Sequence, residues 1–361
     1  MSRPIVIAAG GTGGHTFPAQ ATAQALMARG HRVLLATDPR GAGFAAKMPG
    51  VELLPIHSAT FSGRNPFIIA GAMSKIARGV MQARAAFRRE KPLAVAGFGG
   101  YPALPSMLAA RMTGTPSIIH DANALLGRVN RLVAKRVTKI AVAFDKVEWL
   151  PKGTESKVIL VGNPVRQAIV DHVAPFAPPG QGPINLLVFG GSQGARVMSD
   201  VVPGALALLP DALRARLRVV QQARGEDLER ARAAYAALGV GAETMEFIGD
   251  MPERLAASHL VIARAGASTC AELTVMGRPS VLVPYPFATD DHQSYNARVL
   301  ADSGAALTMP QPIFTPANLA REMEALIADP ARLGAMAAAA KAMGRPNAAE
   351  AMADAIEALA R

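Results

Sequence analysis

Aliphatic runs of strand length alternate along this chain with Ala-rich stretches of helical period, the βαβ pattern of a parallel sheet. The pattern predicts strands over residues 4–9, 32–37, 93–96, 117–120 and 140–143, with a helix near 18–29. The chain then runs into Pro and Gly around 158–164 and into a loose stretch, 174–183, holding four prolines. After it the pattern restarts, with a strand at 184–189, a glycine loop and a helix from near Ala195. Later strands are expected at 218–222, 245–248, 260–263 and 280–284. Residues 331–361 are Ala-rich and helical, broken at Gly344-Arg345-Pro346. That last helix could cap the second half or cross back to the first. Two α/β units side by side are expected.

Composition narrows the class. The chain has 361 residues, 50% hydrophobic and 18% charged, enough for two well-filled cores and too apolar for disorder. A single cysteine, Cys270, excludes a disulfide scaffold and suits a reducing, cytoplasmic setting. No apolar run approaches the ~18–20 residues of a membrane span, and Met1-Ser2-Arg3-Pro4 does not read as a signal peptide. The net charge of +11 is unevenly shared. Residues 1–165 hold 21 Lys+Arg against 7 Asp+Glu, a balance of +14, and residues 166–361 hold 17 against 20. Nucleic acid is not the expected partner. One basic half suggests an anionic surface or substrate on that side, unless the charges are simply solvated faces.

Three glycine loops follow strands. They are Gly10-Gly11-Thr12-Gly13-Gly14-His15, Gly97-Phe98-Gly99-Gly100-Tyr101 and Gly190-Gly191-Ser192-Gln193-Gly194. Glycine lets the backbone turn tightly, and the exposed N–H groups of a following helix favour anions, so a phosphate-bearing ligand is expected. The dinucleotide pattern G-x-G-x-x-G fails at Thr16 in the first loop and at Gln193 in the third, which argues against a nicotinamide enzyme. The phosphate-loop pattern G-x-x-x-x-G-K-[ST] is absent, as are H-E-x-x-H, a Cys/His cluster and D-x-D. No metal and no cofactor are expected. Asp290-Asp291 reads as an exposed acidic loop. A departing diphosphate would then be stabilised by helix N-termini, backbone N–H groups and arginine.

These motifs, with Phe17-Pro18, Asn163-Pro164-Val165-Arg166, Arg264-Ala265-Gly266-Ala267-Ser268-Thr269, Glu272, Asp291-His292-Gln293 and Asn296-Ala297, resemble the MurG glycosyltransferases. The match runs in family order over nearly the whole chain. It departs at one place, where the family usually reads His-Glu-Gln-Asn and this chain has His120-Asp121-Ala122-Asn123. The resemblance implies an α/β fold of GT-B architecture: two Rossmann-like parallel-sheet domains separated by a cleft. Residues 1–165 would form an acceptor and membrane-facing domain, with helix 344–361 packing back on it, and residues 166–343 would bind UDP-GlcNAc. The implied activity is inverting transfer of N-acetylglucosamine to undecaprenyl-pyrophosphoryl-MurNAc-pentapeptide (lipid I), giving lipid II for peptidoglycan. The implied location is the cytoplasmic face of the inner membrane, peripherally attached, with other cell-wall synthesis proteins as further partners. Two rivals share the architecture: a UDP-sugar transferase acting on another lipid or aglycone, and a UDP-GlcNAc 2-epimerase.

The same resemblance implies residue roles. Glu272 would accept hydrogen bonds from the ribose hydroxyls, and Ile248 would offer backbone groups to uracil. Ser192 and Arg166 would face the diphosphate beside Ala267, Ser268 and Thr269, and Gln293 would hold sugar hydroxyls. Thr12, Gly13, Gly14 and Asn123 would close the site from the first domain. Each has a plainer alternative: Glu272 a solvated helix charge, Arg166 a surface cation, Ser192 and Thr12 helix caps, Gln293 a loop polar group. His15 stays open among three roles. It could take the proton from the acceptor hydroxyl, its unperturbed pKa of ~6.5 suiting that task, or contact the acceptor diphosphate, or pack locally. His120 reads as structural. Between Arg64 and Lys91 seven Lys/Arg and one acid are interleaved with Phe67, Ile68, Ile69, Met73, Ile76, Val80, Met81 and Phe87, and 128–139 adds five basic residues. That mixture suits an anionic membrane surface, although part of the apolar set must face the core.

Overall fold

The computed structural model describes residues 2–11, 13–39, 41, 43, 48–60, 66–191 and 194–360, except the side chain of Pro66. The chain divides into two compact units, Met1–Arg166 with Arg345–Arg361, and Gln167–Gly344.

In unit 1 the described strands are β1 (Ile5–Ala8), β2 (Val33–Thr37), β3 (Glu52–Pro55), β4 (Ala94–Gly97), β5 (Ser117–Asp121), β6 (Lys139–Val142) and β7 (Val158–Leu160). They form one parallel sheet in the order β3-β2-β1-β4-β5-β6-β7. The central strands read as unbroken aliphatic runs because both faces of the sheet are covered. Alternate side chains go to opposite faces. Val6, Ala8, Leu34, Val95 and Ile119 pack under helices Pro66–Glu90 and Leu104–Thr113 through Ile76, Phe87 and Met107. Ile5, Ile7, Leu35 and Ile118 pack under helix Gly13–Ala28 and the C-terminal helix Ala348–Ala360, through Leu26, Met352 and Ile356. Arg29 pins that C-terminal helix by pairing with Glu350, with Asp354 at 2.7 Å and with Glu357 at 3.2 Å.

Unit 2 repeats the plan with β8 (Ile184–Phe189), β9 (Leu217–Gln222), β10 (Gly241–Met245), β11 (Leu260–Ala263), β12 (Ser280–Leu282) and β13 (Ala306–Thr308). Their order is β10-β9-β8-β11-β12-β13, again all parallel. In both units the strand order reverses beside the first strand, between β1 and β4 and between β8 and β11. A doubly wound sheet binds ligands at the carboxyl ends of the strands flanking such a reversal.

The strand expected at 245–248 is displaced. β10 pairs with β9 from Gly241↔Arg218 to Met245↔Gln222, and the ladder stops where β9 itself ends. Phe247, apolar in the sequence pattern, is 75% exposed in the loop beyond. Strands β3, β7 and β13 were not expected; they are short edge strands, and apart from Ala306 their side chains are only partly buried or exposed.

Candidate functional site

In unit 1 the loops after β1 and β4 adjoin. A Cβ on Gly10 would stand 2.8 Å from the Pro102 Cβ and 2.9 Å from the Thr37 hydroxyl, so backbone alone fits there. Gly11 turns with φ +94° and the helix opens at Gly13 and Gly14, leaving early N–H groups for an anion. Thr12 lies outside the described residues. Gly99 and Gly100 also have positive φ, +83° and +71°, which a side chain would strain. The imidazole of His15 lies along them: a Cβ on Gly99 would be 3.1 Å from its Nδ1. His15 is therefore held at the strand-order reversal of unit 1, half-exposed.

Asn123 is placed by Asp121. The buried Asp121 carboxylate accepts the Gly127 N–H at 2.6 Å, the Asn130 amide at 2.9 Å and the Asn123 N–H at 3.1 Å. The departure from the family pattern thus falls on the hub that organises the 121–127 loop. His120, one residue earlier, is fully buried; its Nε2–H donates to the Gly162 carbonyl at 2.9 Å. Burial lowers its pKa, keeping the ring neutral. Arg166 belongs to unit 1 and not to the second domain, one residue later than the expected boundary. Its guanidinium sits 5.5 Å from the centre of the Phe17 ring, on the helix that follows the first glycine loop.

In unit 2 the loop after β8 needs glycine for the same reason. A Cβ on Gly190 would meet the Ala195 N at 2.3 Å, and the Gly190 N–H is held by the Gln222 side chain at 3.2 Å. Gln222 also donates to the Glu246 carbonyl at 3.2 Å, tying this loop to the segment that carries Ile248. Ile248 has a buried side chain, which leaves its backbone as the part a base could meet. Ser192 and Gln193 lie outside the described residues.

Across the reversal, helix Ala267–Met276 begins after Gly266. Ser268 and Glu272 are four residues apart and so share one helix face. The Ser268 hydroxyl is shielded from solvent with no hydrogen-bond partner among the described residues, an expensive state that a ligand oxygen would relieve. Thr269 and Ala267 are buried beside it, and Glu272 is half-buried. The turn is braced from behind: Asn296 donates to the Ala265 carbonyl at 3.0 Å. Arg264 is buried and donates to the Val283 and Pro284 carbonyls at 3.2 and 3.0 Å, so it shapes the site rather than lining it. Gln293 accepts the Tyr285 N–H at 2.9 Å through its amide oxygen, and its amide NH2 remains available to a sugar hydroxyl. Asp290 and Asp291 are consecutive left-handed residues; Asp291 accepts from Ser294 at 2.7 Å. Among the described residues no three His, Cys, Asp or Glu side chains gather as a metal site. Cys270 is buried, its thiol pushed up to about 12 and kept protonated.

The bracing residues Asp121 and Gln222 were missed from sequence. Each ends a strand beside another polar residue, His120 or Gln221, and only its burial marks it.

Comparison with known proteins follows the same division. Residues 5–142 match the glycosyltransferase family 28 N-terminal domain and residues 185–352 its C-terminal domain. The chain is 50% identical to the UDP-N-acetylglucosamine–N-acetylmuramyl-(pentapeptide) pyrophosphoryl-undecaprenol N-acetylglucosamine transferase of Mesorhizobium japonicum, covering 99% of this chain and 95% of that protein. It is 49% identical to the Caulobacter vibrioides protein of the same name, covering 100% of both. The crystal structure of Acinetobacter baumannii MurG is similar with a TM-score of 0.82 at 31% identity, covering 99% of this chain and 100% of that one. With this architecture, these paired loops and this full-length likeness, the chain belongs to glycosyltransferase family 28.

Proposed function

We propose that the chain transfers N-acetylglucosamine from UDP-GlcNAc to lipid I, forming lipid II for peptidoglycan synthesis. The observation that carries this reading is the doubled switch point: each unit presents glycine backbone and a helix N-terminus at its strand-order reversal. Two phosphate-bearing substrates, a nucleotide sugar and a lipid diphosphate, call for two such cradles. The identity of the sugar and of the lipid is supported by the named relatives at about half identity over the full chain.

In this reading unit 2 holds the donor. Glu272 takes the ribose hydroxyls, the Ile248 backbone meets uracil, and Ser268, with Ala267, Thr269 and Ser192, meets the diphosphate at the helix start. Gln293 offers its amide to the sugar. Unit 1 holds the acceptor through Thr12, Gly13, Gly14 and Asn123. The acceptor hydroxyl attacks the anomeric carbon as the carbon–oxygen bond to UDP breaks, and its proton passes to a base, for which His15 is the candidate. The leaving diphosphate keeps its charge against helix N–H groups and Arg166, with no metal required.

The outer face of helix Pro66–Glu90 is the membrane contact. Its inner face buries Ala72, Ile76, Ala83, Ala86 and Phe87. Phe67 (85% exposed), Ile68, Met73 and Met81 stay in solvent among Lys75, Arg78, Arg88 and Arg89. Exposed apolar groups among cations suit an anionic leaflet, each cation contributing ~1 kcal/mol near the surface. No helix among the described residues is long and apolar enough to cross a membrane. In this reading the attachment is peripheral, at the cytoplasmic face. The experiment is UDP release from UDP-GlcNAc with and without a short-chain lipid I analogue. Release that depends on the analogue is expected. Release that proceeds equally with a simple diacylglycerol, or conversion of UDP-GlcNAc alone to its 2-epimer, would favour the rival readings.

A further inference from the structure

Away from the strand-order reversal of unit 2, a cavity of about 390 Å³ opens beside residues 173–178 and the Pro330–Met343 helix. Its volume lies in the range of small-molecule sites. Val173, Phe176, Pro178, Met276 and Ala337 give it apolar walls, and Lys341 stands at its rim. Behind the wall lies Arg278, only 2% exposed. Its guanidinium lies over Phe176, 5.7 Å from the ring centre, and donates to the Ala174 carbonyl at 2.9 Å, while its Nε is buried with no hydrogen-bond partner among the described residues. Lys341 donates one hydrogen bond, to the Val275 carbonyl at 2.7 Å, and has two N–H groups left.

Among the described residues these two cations therefore sit together without a counter-charge. Burial lowers the pKa of both, Arg278 further lowers that of Lys341, and no carboxylate raises either. A buried guanidinium without an anion is costly, and a chain that needed only packing here would be better served by an apolar side chain. We infer that the cavity is a second binding site, for an amphipathic anion: a phosphate or carboxylate headgroup at Lys341, in the field of the Arg278 charge buried behind the wall, with a short apolar body along Phe176 and Met276. The residues 173–178 wall follows the point where the chain enters unit 2, and Lys341 lies just before it leaves at Gly344. An occupant would join the entering segment to the departing helix.

The test is calorimetric titration of the full chain with octyl phosphate, octanoate, octanol and inorganic phosphate. Both octyl anions should bind at least tenfold more tightly than octanol or inorganic phosphate. Tighter binding of octyl phosphate points to a phospholipid-type source, and of octanoate to a fatty-acid type. Lys341→Met should weaken the anions about tenfold. Gly334→Leu should abolish their binding: a Cβ on Gly334 meets nothing within 4 Å, so the side chain fills the cavity while improving helix propensity. UDP affinity should be unchanged in both variants, which shows that unit 2 is folded. Octanol binding as tightly as the anions, or Gly334→Leu binding them normally, overturns the proposal.

Discussion

Replacing Glu272 by Gln removes a carboxylate while keeping the shape of the side chain, and it should weaken UDP binding through the ribose alone. Glu272 lies one turn along the helix from Ser268, a rise of ~6 Å, so a nucleotide diphosphate at the helix start has its ribose within reach of the carboxylate. Hydrogen bonds to a charged group contribute about 1.5–3 kcal/mol. Glu272 is half-buried, so water competes and the lower part of that range applies, a loss of roughly 10- to 30-fold in affinity. The assay is a double-mutant cycle by calorimetry, with wild type and Glu272→Gln each titrated with UDP and with 2′,3′-dideoxy-UDP. The variant should bind UDP more weakly yet match wild type with the dideoxy nucleotide, because the partner hydroxyls are gone. An unchanged affinity for UDP, or an equal loss for both nucleotides, would refute the ribose contact and leave Glu272 a helix charge.

Asp121→Ala should cost about 2–4 kcal/mol in urea unfolding, since the Gly127 N–H and the Asn130 amide lose a buried acceptor together; a loss below 1 kcal/mol would mean the loop is held otherwise. Arg166→Ala should lower turnover ~10²-fold while chelator leaves wild-type activity intact; complete loss in EDTA, restored by a divalent ion, would overturn metal-free departure. His120 contributes a pH dependence whose sign is fixed by its lowered folded pKa. Below ~6.5 the unfolded chain takes up a proton that the native ring refuses, so unit 1 should lose stability on acidification, by at most ~1.4 kcal/mol per pH unit. His120→Asn should flatten that slope; an unaltered slope would assign it to other groups. Reversing charge at Lys75, Arg78 and Arg88 should reduce binding to anionic vesicles and leave UDP affinity alone. Equal binding of wild type to neutral and anionic vesicles would mean the membrane face lies elsewhere.

What could be read beforehand follows from where burial is complete. β1 and β11 are covered on both faces and appear in the sequence as uninterrupted aliphatic runs, and β2 and β8 nearly so, broken only by Thr37 and Asn185 and by the final Phe189. The edge strands have no such imprint: β3 exposes Glu52, Leu53 and Pro55, and β10, Gly241–Met245, shares only Met245 with the 245–248 run, in which Phe247 is exposed. The glycine loops were legible because collisions at Gly10 and Gly190 exclude every other residue. Gln222 and Arg278 were not, since each acts through partners distant in sequence; Asp121 was not, because its partners at 123, 127 and 130 follow no regular period. Within helix Pro66–Glu90 the interleaving of apolar and basic residues was plain, but the division into faces was not; Ile76 and Phe87 went to the core, Phe67 and Met81 to solvent.

Product analysis bears on the whole reading at once. Purified protein, UDP-GlcNAc and a short-chain lipid I analogue are incubated with chelator, and the lipid product is examined by mass spectrometry and proton NMR. The expected product carries one added N-acetylhexosamine in β linkage, formed in equal amount with UDP, as inversion at the anomeric carbon requires. Recovery of unaltered acceptor while UDP accumulates, or an α-linked product, would contradict transfer by direct attack of the acceptor hydroxyl.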